Sequence, residues 1–223
     1  MLEYVLKPSL KESWGGPFNG QAYRQRIYAE VMERLPFKAI VETGTFRGTT
    51  TVVFAEQGLP VYTVEASPRF HAYARLRLRN VDEQVHLHQA DSRVFLEQLA
   101  RDDSMPHSDV FFYLDAHWEQ DLPLREEVEI IFSNWERAVI MVDDFEVPGT
   151  AYTFDDYGAD KVLNLGYLEP LAHLNLQVYF PAAPAEEETG ARRGSVVLCN
   201  DSQVARVLDS LSTLRAHAQE RVA

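Results

Sequence analysis

The sequence predicts an α/β fold, an open and mostly parallel sheet covered by helices on both faces. Apolar segments of strand length alternate with segments of helical period from residue 38 to about residue 199, which is the arrangement that βαβ units produce. The most hydrophobic run, DVFFYLDAH from Asp109, has the continuous apolar character of a strand buried on both faces. With 223 residues, the chain is predicted to form one core.

The other elements are predicted in order from the same patterns. A helix is expected over 21–35, since Ile27, Val31 and Leu35 share one face and Pro36 follows them. Further strands are expected at 39–42, 61–65, 84–89, 137–145, 176–182 and 194–200. Further helices are expected from Pro68 and over 94–100, 124–134, 161–174 and 202–216. The polar stretch 183–194 is expected to be mobile.

Composition limits the classes of partner. The chain has 21 Lys and Arg against 34 Asp and Glu, a net charge of −13, which argues against nucleic acid and anionic membrane surfaces. Its one cysteine, Cys199, cannot form an internal disulfide and is expected to be a buried thiol. No apolar run has transmembrane length and the first residues lack a signal-peptide layout, so a soluble cytoplasmic protein is expected. Homo-oligomer formation is left open.

The segment AIVETGTFRG, which starts at Ala39, has the layout of a ligand cradle. A buried strand ends at Glu42, and Gly44 and Gly48 then allow the backbone to approach a small molecule at the start of a helix. The spacing differs from the usual dinucleotide fingerprint G-x-G-x-x-G. Glu65 ends the next strand, 65 − 42 = 23 residues later, where an acid can bind ribose hydroxyls.

Acidic side chains follow each of the predicted parallel strands. Because the carboxyl ends of parallel strands meet at one edge of the sheet, these carboxylates should converge and repel one another unless a ligand offsets their charge. Cations, hydroxyl or amino groups, and metal ions could each do so. The acids are Glu42, Glu65, Asp91, Asp115, Asp143 and Asp144.

The segments VETGTFRG, VEAS and QADS resemble those of the class I S-adenosylmethionine-dependent methyltransferases, over residues 38 to about 199. The resemblance implies a Rossmann-like, seven-stranded, mostly parallel sheet with an antiparallel C-terminal edge strand. It also implies a methyltransferase domain over 37–223, preceded by a helical or lid extension over 1–36. Trp14 and Phe18 in that extension could anchor it to the core or form a lid over the cofactor or substrate.

The same resemblance implies how S-adenosylmethionine would be held. Glu42, Gly44 and Gly48 would line its methionine end, and Thr45 would donate a hydrogen bond. Glu65 would hold the ribose, and Asp91 with Ser92 would face the adenine. Ala66 and Asp115, the acid after the fourth strand, would also contact the cofactor. For Ser92, a place at the start of a helix explains the residue nearly as well.

The segments LDAHWEQDLPLREEVEII and AVIMVDDFEVPG resemble the metal-dependent, catechol-type O-methyltransferases. This resemblance implies a magnesium ion, or another divalent cation, held by Asp115, Asp143 and Asp144, which would activate a substrate hydroxyl. The chain departs from that family at Asp144, where an amide is usual, and at Glu119, where the catalytic lysine is expected. His117 then becomes the candidate general base, with Asp115 beside it, although it could equally pack beside the cofactor.

The sequence therefore predicts a methyltransferase that uses S-adenosylmethionine to methylate an oxygen of a small molecule, with divalent-metal assistance. Trp118 could line the pocket or belong to the core. Three alternatives stay open: a metal-assisted enzyme of the hydroxylase type, a catalytically silent protein that binds the cofactor, and an NAD-binding protein. The incomplete glycine fingerprint weighs against the last.

Overall fold

The computed structural model describes residues 14–81, 83–117, 121–158 and 160–217. Its strands are β1 (Ala39–Thr43), β2 (Val61–Val64), β3 (Val85–His88), β4 (Val110–Leu114), β5 (Val139–Val142), β6 (Gln177–Pro181), β7 (Val196–Cys199) and β8 (Leu214–Ala216). They form one sheet in the order β3-β2-β1-β4-β5-β7-β6-β8. Strands β1 to β5 pair in parallel, whereas the pairs that involve β6, β7 and β8 are antiparallel.

Helices cover both faces of this sheet, as predicted. They are α1 (Ala22–Arg34), α2 (Thr49–Ala55), α3 (Pro68–Leu78), α4 (Ser92–Leu99), α5 (Leu124–Asn134), α6 (Leu165–Leu168) and α7 (Ser202–Leu208). Alternate residues of the central strand β4 point to opposite faces of the sheet. Phe112 packs with α4 and α5 on one face, whereas Phe111 and Tyr113 pack with α1 and α2 on the other. The continuous apolar run thus lies between two cores.

The C-terminal part differs from the prediction in two places. The helix expected to reach residue 216 ends at Leu208, and β8 then pairs with the outer edge of β6, which satisfies that strand's backbone groups. The sheet therefore has eight strands instead of seven. The helix expected over 161–174 is limited to α6 and a 3-10 turn, Glu169–Leu174, because Pro170 interrupts the α-helical hydrogen bonds.

The described part of the N-terminal extension belongs to the core. The Phe18 ring is 1% exposed and lies 5.1 Å from the Tyr28 ring and 5.5 Å from the Tyr113 ring. Trp14, by contrast, is 70% exposed. Phe18 therefore anchors the extension to the core, which is the first of the two interpretations offered for these aromatic residues. None of the helices found in the described ranges has both the length and the apolar composition needed to cross a membrane.

Candidate active site

The turn after β1 passes directly against the end of β4. Gly44 has a φ of +85°, and a Cβ atom added to it would lie 2.1 Å from the carbonyl oxygen of Asp115. Only glycine can hold that position without displacing one of the two segments. Gly48, with a φ of +70°, precedes α2 and lies against the Leu78 side chain. Both predicted glycines thus bring the turn close to its neighbours.

Glu42 lies at the end of β1 and is 2% exposed. Its Oε2 accepts hydrogen bonds of 2.6 Å from the Thr51 and Thr63 hydroxyls. Burial raises the pKa of Glu42 to about 7, because these two hydroxyls only partly offset the loss of water. The Thr63 hydroxyl also lies 2.5 Å from that of Thr45. Glu42 is therefore a buried acid whose ionised form a nearby cation would stabilise.

Glu65 follows β2 and receives two backbone N–H groups. Its Oε2 accepts from Phe46 and its Oε1 from Ser67, both at 2.7 Å. Phe46 has a φ of +49° at this point, which is uncommon for a residue with a side chain. Burial raises the pKa of Glu65 in spite of these bonds. Each oxygen keeps a second lone pair that can accept a hydroxyl donor. Ala66, next to it, is exposed.

Asp91 and Ser92 begin α4 and have different surroundings. Asp91 accepts a 2.9 Å bond from the Arg93 backbone N–H as the N-cap, and it forms an ion pair with the Arg93 side chain at 2.7 Å. Ser92 is buried, and its hydroxyl faces Glu127 of α5 together with that of Thr43. Burial raises the pKa of Glu127 to about 7, against the effect of both hydroxyls.

Asp143, at the end of β5, is fully buried and both of its oxygens are occupied. Its Oδ1 forms an ion pair with Arg24 of α1 and accepts the backbone N–H of Asp144 at 2.7 Å. Its Oδ2 accepts the Tyr113 hydroxyl at 2.9 Å and the Asn19 side-chain amide at 3.1 Å. This carboxylate is therefore neutralised by an arginine that precedes it by more than a hundred residues.

The segment 188–194 holds Arg24 in place. Glu188, 4% exposed, accepts the backbone N–H groups of Tyr23 at 2.9 Å and Arg24 at 3.0 Å, and so caps α1. The Arg24 Nη2 also donates to the carbonyl oxygens of Arg193 at 2.9 Å and Gly194 at 3.0 Å. The prediction of a mobile polar stretch was wrong, because buried charged hydrogen bonds anchor it to α1.

Arg193 joins two further acids. Its Nε lies 2.8 Å from Asp144 Oδ2, and its Nη2 forms an ion pair with Asp155. Asp144 Oδ1 also accepts a 3.4 Å bond from Arg24. Asp144 has a φ of +52°, a strained conformation of the kind found at functional sites. Asp155 in addition accepts the Tyr157 hydroxyl.

His117 and Asp115 border this cluster. His117 is 7% exposed, with its Nε2 3.5 Å from Asp155 Oδ2 and 3.9 Å from Asp115 Oδ1. Burial lowers the pKa of His117 to about 4, although the Asp144 charge opposes this. The imidazole is thus neutral near pH 7 and can accept a proton. Burial and the Asp144 charge raise the pKa of Asp115.

The predicted residues are only partly brought together. Asp115, His117, Asp143 and Asp144 meet at the ends of β4 and β5, whereas Asp91 is engaged with Arg93. Trp118 and Glu119 lie outside the described residues. Sequence patterns missed several charged residues of this region. Of the residues missed, Arg24 of α1 and Arg193 of the polar stretch are the partners of Asp143 and Asp144. The others are Glu127 of α5, which faces Ser92, Asp155 after β5, which pairs with Arg193, and Glu188, which caps α1.

A magnesium ion does not fit Asp115, Asp143 and Asp144 in this arrangement. Magnesium requires octahedral oxygen coordination, and Asp143 has no free oxygen to offer. Within the described ranges, the group with metal-ligand geometry is a different one: His117, Asp144 and Asp155, whose ligand atoms lie within 4.8 Å of one another. Both of those carboxylates already pair with Arg193.

Comparison with known proteins gives similar structures, but no protein-family model and no curated protein matches the chain. The O-methyltransferase from Bacillus cereus in complex with SAH is 17% identical, with a TM-score of 0.56 over 79% of this chain and 78% of that one. The O-methyltransferase TomG from Streptomyces achromogenes, in complex with SAM, is 17% identical, with a TM-score of 0.55 over 79% and 77%. Cofactor-bound Rv0187 from MTB is 16% identical, with a TM-score of 0.52 over 88% and 93%. The class I methyltransferase fold is thereby confirmed.

Proposed function

We propose that this protein is an S-adenosylmethionine-dependent methyltransferase that methylates an oxygen of a small molecule. One observation carries the proposal: Glu42, Glu65 and Glu127 are buried around the glycine turn, and none of them forms an ion pair within the described part of the chain. Buried acids without a cation are costly. They suit a ligand that brings positive charge and hydroxyl groups to this edge of the sheet.

When bound, S-adenosylmethionine supplies a methyl group on a positively charged sulfur. The residues at the turn would hold it in the way that the resemblance implies. Glu65 has lone pairs for the ribose hydroxyls, Glu42 is a buried acid just before the turn, and Gly44 permits the close approach. Ser92 and Glu127 offer hydrogen-bonding groups beside the start of α4. The fit of these residues to the cofactor supports the proposal.

The acceptor side would be the group formed by Asp115, His117 and Asp155. His117 is neutral near pH 7 and would accept the proton of the acceptor hydroxyl, while the Asp144 charge and the Asp155 carboxylate would stabilise the resulting imidazolium. Methyl transfer then depends mainly on orientation of the two reactants. A small acceptor suits the net charge of −13, and two of the similar structures are named O-methyltransferases.

The metal-assisted form of the reaction finds less support. Its three predicted ligands include Asp143, whose oxygens are taken by Arg24, Tyr113 and Asn19. No step of the proposed reaction therefore passes through a divalent cation. His117, which is close to the reacting edge, takes the role that a metal or a lysine would have in proton removal.

Thermal denaturation with competing ligands tests the cofactor. S-adenosylhomocysteine should raise the melting temperature of the wild type, whereas NAD and ATP should leave it unchanged, because binding to the folded state alone stabilises it. Transfer of tritium from methyl-labelled S-adenosylmethionine to a panel of hydroxylated small molecules then tests the acceptor class. A melting temperature that rises with NAD and not with S-adenosylhomocysteine would refute the proposed function.

A further inference from the structure

We propose that the guanidinium groups of Arg24 and Arg193 take the place of a divalent cation at the acceptor side, so that the site works without a metal. The inference rests on the proposed methyltransferase function and concerns the charge of that same site. Four acids meet there: Asp143 and Asp144 after β5, Asp155 in the following loop, and Asp115 after β4. The two arginines are the cations that pair with the first three.

The guanidinium groups occupy the positions that a metal would need. Arg193 has one nitrogen 2.8 Å from Asp144 and another paired with Asp155. It therefore lies between the two carboxylates of the group with metal-ligand geometry, His117, Asp144 and Asp155. Arg24 pairs with Asp143 and reaches Asp144 at 3.4 Å. A planar guanidinium forms such paired contacts with carboxylates readily. A cation that entered this group would have to displace at least one of them.

The fold builds this arrangement rather than leaving it to surface side chains. The Arg24 side chain is 1% exposed and is held by the carbonyl oxygens of residues 193 and 194. Gln21 ties its own segment to Arg193 in both directions: its side-chain amide donates to the Arg193 carbonyl at 3.0 Å, and its side-chain oxygen accepts the Arg193 N–H. Both arginines are therefore held by a hydrogen-bond network that joins the start of α1 to the segment 188–194.

The two arginines have distinct roles. Arg24 is a positioning residue, since it is buried and acts through Asp143, Asp144 and the backbone of the 188–194 segment. Arg193 is 25% exposed along its side chain and lies beside Asp155, the carboxylate nearest to His117. It therefore supplies the positive charge that borders the acceptor.

Manganese binding, measured by the loss of the free Mn²⁺ signal in electron paramagnetic resonance, tests the inference. The wild type should show no binding up to about 1 mM Mn²⁺, the weak end of the affinities of protein sites for hard divalent cations such as Ca²⁺. Arg193→Met should bind Mn²⁺ at least about tenfold more tightly, because it frees two carboxylates beside His117 from a positive charge at contact distance. Arg193→Lys keeps the charge and should behave as the wild type does. Arg192→Met, at an exposed neighbouring position, is the matched control.

Tight stoichiometric binding by the wild type that Asp144→Asn abolishes would overturn the inference, because a metal would then displace the arginines. Equal binding by the wild type and Arg193→Met, whether weak or undetectable, would overturn it as well, since the guanidinium would not be what excludes the ion. S-adenosylhomocysteine titrations on the same samples report folding and the cofactor site independently. A wild type that does not bind S-adenosylhomocysteine would defeat the proposed function, whatever its response to Mn²⁺.

Discussion

The two groups of buried carboxylates in this protein are stabilised in opposite ways. Around the turn after β1, Glu42, Glu65 and Glu127 are held by hydroxyls and backbone N–H groups. After β5, Asp143 and Asp144 are held by guanidinium groups. Among the described residues, the acids of the first group form no ion pair, whereas each acid of the second group forms one.

Under the proposed function, this difference matches each region to one ligand. An unpaired buried acid has a raised pKa and gains from an incoming positive charge, so the first region suits the sulfonium-bearing cofactor. A paired acid gains little from a further cation, so the second region suits a neutral acceptor and not a metal ion. Asp115 lies between them, with its carbonyl against Gly44 and its carboxylate near His117.

Removal of Arg24 should have the largest effect on stability. Arg24→Met leaves Asp143 fully buried without its cation, which typically costs about 3–5 kcal/mol of unfolding free energy. Urea denaturation measures the change, and Arg26→Met, at an exposed position on the same helix, is the control. The double variant Arg24→Met/Asp143→Asn should recover part of the loss. A loss below about 1 kcal/mol, the range of surface pairs, would remove the contrast between the regions.

Glu127→Gln should raise stability near neutral pH instead of lowering it, because this buried acid forms no ion pair within the described residues. The folded-state pKa of about 7 lies above the ordinary value of 4.5, so the protein keeps its full stability below pH 4.5 and loses stability as the pH rises to 7. Over that window the loss is about 3 kcal/mol at 1.36 kcal/mol per unit. Gln carries no charge and should remove this dependence.

Urea denaturation of the ligand-free protein at pH 5 and pH 8 checks this prediction. The variant should be more stable than the wild type at pH 8 and nearly equal at pH 5. Glu126→Gln, on the exposed side of the same helical turn, should show neither effect. A variant that is less stable than the wild type at pH 8 would mean that Glu127 is ionised and satisfied in the folded protein, like Asp143.

A pair of glycine substitutions separates close packing from backbone strain. Gly44 and Gly58 have φ values of +85° and +71°, but only Gly44 has a neighbouring atom where a Cβ would lie. Gly58→Ala should cost about 1–2 kcal/mol of unfolding free energy, the penalty of a left-handed conformation. Gly44→Ala should cost about 1–3 kcal/mol more through overpacking. Thermal denaturation of the two variants measures these losses of stability. Equal losses would show that the turn does not depend on contact with Asp115.

The arrangement of the residues around the turn after β1 was largely predictable from the sequence because its signals are local. Glu42, Gly44 and Gly48 lie within seven residues of chain, and Glu65 ends the next strand, so strand order alone brings them together. Glu127 was not identified, because an acid in the first turn of a helix is already explained by the helix dipole. Only its burial against Ser92 distinguishes it from Glu126.

The acceptor region could not be predicted to the same extent, because its cations are distant in sequence. Arg24 lies on a helix whose apolar face was clear, but no pattern indicates that an arginine on it is buried. Arg193 lies in a polar stretch that composition describes as mobile, whereas Glu188 anchors that stretch by capping α1. Residues that meet only in the tertiary fold leave no periodic signal. The edge strand β8, three residues long, was missed for a similar reason.

The most direct measurement is calorimetric titration of S-adenosylhomocysteine, in EDTA, into the wild type, Glu65→Ala and Arg193→Met. Glu65→Ala should weaken binding about tenfold or more, since charged hydrogen bonds of about 1.5–3 kcal/mol are lost. Arg193→Met should bind within about twofold of the wild type, a difference too small for a lost charge contact. No binding by the wild type, or equal weakening by both substitutions, would contradict the proposed division into a cofactor region whose described acids form no ion pair and an acceptor region neutralised by arginine.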